Sequence, residues 1–293
     1  MKLVTFDAGR AGRVGRLDGD VIVEFDCASM RAYFEHEGNV PETGEVVNLA
    51  DARLRAPITP KKFFHTAGNF VEHHQDLVRV NWSHPVNKGI VFFQNVDAIV
   101  GPEEPVVYPE QLTNELDYEL EMVMVIGKPG KFFTAEQATE HIAGYMIFND
   151  ITARDIQRRE MKSGVFSFSK AIETFCPIGP YIVTADEVGD PHDLEMELRV
   201  NGQTRQKSNT SHMSVSIPQL VAYHSPQTYS AGDLLTTGTI AGVAASTEDP
   251  FANYLKPGDW VEAEIEKLGI LRTPIISWRD AYGTEPPPAD NWL

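Results

Sequence analysis

The sequence predicts an α+β fold that is mainly β, with a small β-rich N-terminal domain (residues 1–58) ahead of a larger one (residues 59–293). Three observations predict it. The segment DLEMELRVNGQTRQ alternates strictly, setting Leu194, Met196, Leu198 and Val200 against Glu195, Glu197 and Arg199, then turns at Asn201-Gly202, a strong hairpin signal. Residues 123–126 and 145–148 are apolar on both strand faces, as in elements that enter a core. Helical signals, by contrast, are short, and the two prolines of LRAPITPKK mark a boundary between the domains.

In the N-terminal domain, LVTF and VIVEF read as strands joined by tight turns, with Asp18-Gly19-Asp20 at one of them. A helical patch near Met30 to Glu37 follows, then a polar, proline-bearing loop, GNVPETGE. The next stretch carries His65, His73, His74 and His84 but lacks the HxxxH spacing of a helical zinc site, so its plain reading is a polar loop surface. Within it, His73 and Asp76 would share a helix face, which lets a carboxylate orient an imidazole. Residues 88–112 read as strands interrupted by Gly101, Pro102 and Pro105, a pattern that suits sheet edges.

The most informative stretch runs from Leu116 to Gln157. Side chains alternate along a strand, so Glu119 and Glu121 point the same way, and two carboxylates at the mouth of a buried strand favour a cation between them. Thr134 and Gln137 form a capping box that opens a short helix. A second apolar run then delivers Asp150, completing an all-oxygen set of three carboxylates. Were ITARDIQRRE helical from its start, Asp150, Arg154 and Gln157 would lie at i, i+4 and i+7 on one stripe. The motif is weak by spacing alone, because Glu195 and Glu197 repeat it on a strand face expected to be solvated.

Further on, MKSGVFSFS reads as a flexible loop leading to Lys170. Ser216 and Gln219 cap another short helix, and AGDLLTTGTIAGV ends in a Gly/Thr-rich turn whose hydroxyls and N–H groups can bind a carboxylate. A last hairpin lies in LKPGDWVEAEIEKLGILRTPI.

Bulk properties restrict the partners. With 42% apolar and 23% charged residues the chain has the composition of a globular protein, and a net charge of −17 argues against nucleic acid or an anionic membrane as partner. Cys27 and Cys176 have no CxxC or CxxH spacing, so no disulfide framework or thiolate zinc site is expected. No signal-peptide core or membrane-length apolar run is evident, and a cytoplasmic location is expected.

Over roughly residues 60–275 the chain resembles the fumarylacetoacetate hydrolase family through an ordered series: AGNFVEHHQDL, LDYELEMVMVIGK, GYMIFNDITARDIQ, SKAIETFCPIGPYIVT, VNGQTRQKSNTSHMSVSIPQL, GDLLTTGTIAG and LKPGDWVEAEIEKLG. The resemblance implies a mixed β-roll catalytic domain around a divalent cation, a small N-terminal domain and a homodimer. It implies metal ligation by Glu119, Glu121 and Asp150, with Mg²⁺ as cofactor and Mn²⁺ or Ca²⁺ as substitutes. It further implies His73 with Asp76 as base and partner acid, Lys170 in catalysis, and Arg154, Gln157 and Thr239 as contacts to a small anionic 2-oxo acid. The expected activity is hydrolysis of a C–C bond in a 2,4-dioxo acid such as an acylpyruvate, with His73 and Asp76 activating water. The alternatives are a 2-oxo acid decarboxylase or keto–enol isomerase on the same fold, and a catalytically idle metabolite-binding protein. The chain departs from the family pattern at Ala67-Gly68-Asn69-Phe70, where Gly-Arg-Asn-Tyr is frequent, and at Asp76, where Glu is common.

Overall fold

A computed structural model describes residues 1–79, 90–164 and 167–288. His84 lies outside the described residues. Among those described, the strands form a large mixed sheet, a five-stranded sheet and a two-stranded ribbon, with short helices between them, which is the expected mainly β architecture.

The large sheet is ordered from the outer N-terminal strand inward: Glu42–Asn48, Val21–Phe25, Arg10–Asp18, Lys2–Ala8, Cys176–Thr184, Ile142–Asn149, Leu120–Ile126, Leu234–Thr236, Phe63–Ala67 and Ile90–Phe93. The N-terminal strands therefore continue the catalytic sheet, with Lys2 opposite Val183 and Leu3 opposite Ile182. GNVPETGE, expected as a loop, departs from that reading. Its second half belongs to the edge strand Glu42–Asn48, because Val46 and Val47 pair with Val23 and Ile22 and carry the polar residues before them into the ladder. An edge strand tolerates such a polar sequence, since one side of its backbone and most of its side chains remain in water.

The five-stranded sheet contains both expected hairpins. Glu195–Val200 turns into Gln203–Asn209 through Asn201 (φ 52°) and Gly202 (φ 76°), the two positive-φ residues that such a turn requires. Trp260–Ile265 pairs with Gly269–Ser277, and both Glu195–Val200 and Trp260–Ile265 bury alternate residues. Arg199 lies between Glu197 and Glu264, 2.8 Å from each, so the Glu195/Glu197 repeat belongs to a paired, partly exposed strand face.

Both capping boxes form, ahead of the helices Ala135–Ala138 and Ile217–His224. No described helix is long and apolar enough to cross a membrane. At the centre, Leu120–Ile126 is buried at every residue between Ile142–Asn149 and Leu234–Thr236, which explains the apolar character of residues 123–126 on both faces. Packing is tight at Gly144, where an added Cβ would lie 2.4 Å from the Val183 carbonyl oxygen on the neighbouring strand. Gly144→Ala is therefore expected to destabilise the fold by about 1–3 kcal/mol through overpacking, read as a lower urea midpoint at unchanged slope.

Candidate active site

Antiparallel register assembles the site. Leu120 pairs with Asn149, so Glu119, just before one strand, meets Asp150, just after the other, and the Asp150 N–H donates to the Glu119 carbonyl at 2.8 Å. Glu121 is the second residue of the same strand. One carboxylate oxygen from each of Glu119, Glu121 and Asp150 falls within 4.8 Å of the other two, and all three residues are buried. The three carboxylates picked out by spacing thus converge.

Asp150 is not helical, as the stripe reading required. The chain forms the short strand Thr152–Ala153 before the helix Arg154–Met161 begins, because Thr152 pairs with Asp117 in the two-stranded ribbon. Arg154 is consequently paired with Asp117 and Glu119. Its Nε donates to Asp117 Oδ2 and its Nη1 lies against Glu119 Oε1, both at 2.7 Å, while Nη1 also donates to Gln157 Oε1 at 2.9 Å. Lys170 takes the place beside Asp150: its Nζ donates to Asp150 Oδ2 at 2.6 Å, Thr152 Oγ1 at 2.7 Å and Glu119 Oε2 at 2.9 Å.

The charges explain the electrostatics. Burial acts to raise the Glu119 pKa, but Lys170 and Arg154 outweigh it and hold the carboxyl at about 2. Among the described residues no cation forms an ion pair with Glu121, and Lys170 acts on it only through space. Burial, then Asp150 and Glu119, push its pKa well above the carboxylate range. Burial would lower the Lys170 pKa, yet Asp150 and Glu119 raise it. Among the described residues, with all four acids ionised as ligation would require of Glu121, the buried Asp117, Glu119, Glu121 and Asp150 outnumber the buried cations Arg154 and Lys170 by two charges. A divalent cation would balance that excess. The donor set fits one: all ligands are oxygens, and buried Asp150 Oδ1 has no hydrogen-bond partner.

The remaining expected residues are placed differently. His73, on the helix Val71–Arg79, is buried, and burial lowers its pKa to about 4, with Glu119 acting in the opposite direction. The expected His73–Asp76 hydrogen bond is not formed. His73 Nδ1 has no partner, whereas Asp76 accepts from the Gly242 N–H at 3.1 Å, Ser246 Oγ at 3.3 Å and Arg79 at 2.9 Å. Asp76 is partly exposed and meets Arg79 on the next turn of its own helix and the distant segment of Gly242 and Ser246, while His73 is buried. Thr239 is buried in the wall, its hydroxyl donating to the Leu120 carbonyl and accepting from Gln206 Nε2, both at 3.1 Å. From the Gly/Thr turn it is instead the Gly238 N–H, at φ +82°, that reaches a carboxylate, Glu121 Oε2, at 3.1 Å.

Two further residues escaped sequence reasoning. Asp117 is fully buried and accepts from the N–H groups of Tyr118, Ala244 and Ala245 besides Arg154. The alternation of Asp117, Glu119 and Glu121 contained that signal. His65, expected on a polar surface, is fully buried on the strand Phe63–Ala67, with Nδ1 3.3 Å from Asp150 Oδ2. Nothing in its spacing marked it.

The chain has relatives among known proteins. Residues 62–276 match the family described as fumarylacetoacetate (FAA) hydrolase, C-terminal, and residues 1–57 match Rv2993c-like, N-terminal. The mitochondrial oxaloacetate tautomerase fahd2 of Xenopus laevis is 38% identical over 300 residues, covering 94% of this chain and 90% of that protein. The crystal structure of 5-carboxymethyl-2-hydroxymuconate delta-isomerase from Mycobacterium smegmatis is similar at 33% identity and TM-score 0.79, covering 94% of this chain and 100% of that one. Maleylpyruvate hydrolase from Sphingobium sp. SYK-6 is similar at 27% identity and TM-score 0.74, with the same coverage of each chain.

Proposed function

Because the chain belongs to the fumarylacetoacetate hydrolase family, whose members are enzymes, we propose that it is a metal-dependent keto–enol tautomerase acting on a small 2-oxo dicarboxylate of the oxaloacetate class. The observation that carries this reading is the unformed His73–Asp76 pair beside a complete carboxylate triad. Hydrolysis needs a water deprotonated by a base that a partner acid holds in place, whereas tautomerisation needs only charge stabilisation and a group that moves one proton.

Glu119, Glu121 and Asp150 would hold the cation, Mg²⁺ by the hardness of the donors, with Mn²⁺ or Ca²⁺ accepted by the same oxygens. A divalent cation there supplies Lewis-acid stabilisation of the negative charge that develops on a 2-oxo oxygen. Lys170, buried and fixed by three hydrogen bonds, adds a second positive charge. His73 is uncharged near neutrality and its Nδ1 has no hydrogen-bond partner, so it can take the proton from carbon 3 and hand that same proton to the enolate oxygen, the reverse transfer regenerating the keto form. Arg154 keeps Glu119 ionised and oriented for ligation.

The test is proton exchange at carbon 3 of oxaloacetate, followed by NMR in D₂O, together with decay of the enol absorbance, each with and without Mg²⁺. Mg²⁺-dependent exchange without bond cleavage is expected, and His73→Ala is expected to slow it by about 10²–10⁴-fold. C–C hydrolysis is the second reading, favoured by His73 lying in the field of Glu119 and by the maleylpyruvate hydrolase among the structural neighbours. Cleavage of an acylpyruvate faster than tautomerisation of oxaloacetate would establish hydrolysis instead.

A further inference from the structure

His65 is difficult to account for as packing. It is fully buried, and its ring lies among those of Phe63, Phe92 and Phe148, with centroids 5.1, 4.4 and 5.3 Å away. A phenylalanine would fill that aromatic pocket without burying two ring nitrogens, neither of which has a hydrogen-bond partner of good geometry. Burying such a group without compensation costs on the order of 1–3 kcal/mol by protein mutational data, so the imidazole calls for an explanation beyond space filling.

Among the described residues, the charged group it contacts supplies that explanation. Nδ1 lies 3.3 Å from Asp150 Oδ2, the oxygen that also accepts from Lys170, while Asp150 Oδ1 is the oxygen without a partner. Two donors on Oδ2 would leave Oδ1 to turn towards Glu119 and Glu121. The strand position suits the task, because Phe63–Ala67 pairs with both Leu234–Thr236 and Ile90–Phe93 and so holds the ring between rigid neighbours.

We infer that His65 is a positioning residue for the metal site: its Nδ1–H, directed at Asp150 Oδ2, fixes the Asp150 carboxylate so that Oδ1 is presented to a divalent cation. The proton is placed on Nδ1 because the atom it faces can only accept. The inference rests on the metal reading above. It adds to it a ligand-orienting contact made from a strand that contributes no ligand. Outer contacts of this kind govern metal affinity by about 10–100-fold.

The experiment compares Mn²⁺ binding, by calorimetry and by the electron paramagnetic resonance line shape of the bound ion, in the wild-type protein, His65→Phe and His65→Asn. Phenylalanine keeps the ring packing and removes the donor. Asparagine keeps an N–H near the position of Nδ1 and gives up packing. Positioning predicts 10–100-fold weaker Mn²⁺ binding and an altered line shape in His65→Phe at an unchanged melting temperature, with most of the affinity restored in His65→Asn although that variant melts lower. A purely structural role predicts the opposite ranking. Wild-type affinity and line shape in His65→Phe, or affinity that simply follows the melting temperature across the two variants, would overturn the inference. A wild-type protein that takes up no Mn²⁺ would overturn the metal reading and this inference with it.

Discussion

Glu121→Gln is expected to abolish Mg²⁺-dependent turnover and Mg²⁺-induced stabilisation while leaving the metal-free fold at least as stable as the wild type. Glu121 is the carboxylate that the rest of the site disfavours: burial, Asp150 and Glu119 all raise its pKa and outweigh Lys170 and the Thr236 hydroxyl, which lower it. A neutral isostere removes that conflict and also removes a ligand. In the wild type, Mg²⁺ at a hundredfold excess over its Kd should add about 2.7 kcal/mol, and in the variant none. Differential scanning calorimetry with and without Mg²⁺ reads both effects. The pH dependence has a defined sign. A carboxyl whose folded pKa is raised lends stability that is complete below its unfolded pKa, about 4.3, and is lost as pH rises through the folded value. The metal-free wild type should therefore lose stability towards alkaline pH, and Mg²⁺ affinity should rise over the same window as the Glu121 proton is released. Both trends should flatten in Glu121→Gln; equal pH slopes in the two proteins would contradict this assignment of charge.

Arg154→Met should be among the most destabilising single changes in the catalytic segment. The guanidinium is buried and bridges Asp117 and Glu119 at 2.7 Å each, and burial, which would lower its pKa, is outweighed by those two acids. Methionine fills similar space but leaves buried Asp117 without its cation and Glu119 with Lys170 alone, and breaking a buried pair in this way costs about 3–5 kcal/mol. Arg154→Lys should recover only part of the loss, because a point charge cannot span both carboxylates as the planar fork does. Urea denaturation measures the difference directly. A loss within about 0.5 kcal/mol would show that Asp117 is held well enough by the backbone N–H groups of Tyr118, Ala244 and Ala245 alone.

Much of the site was legible before any coordinates. Glu119, Glu121 and Asp150 were visible because strand periodicity and the ends of two apolar runs are local properties of the chain. The same logic made the Asn201-Gly202 hairpin and both capping boxes readable, since each is decided within a few residues. The partnerships were not local. His73 and Asp76 are correctly spaced on one helix, yet Asp76 binds donors some 166 to 170 residues away, at Gly242 and Ser246. Arg154 chose Asp117 and Glu119 over Asp150 because a two-residue strand delayed the helix start and turned the guanidinium.

By itself, the sequence determined that this chain is mainly β, that three carboxylates gather where its central strands end, and that it resembles one enzyme family. Which groups neutralise those carboxylates was decided only by the tertiary structure. Lys170 comes 20 residues after Asp150, and His65 enters from a strand 85 residues before it. The physical reason is that a backbone pattern fixes which face a side chain occupies within its own element, whereas charge compensation in a dry interior depends on which elements the register of the sheet brings side by side.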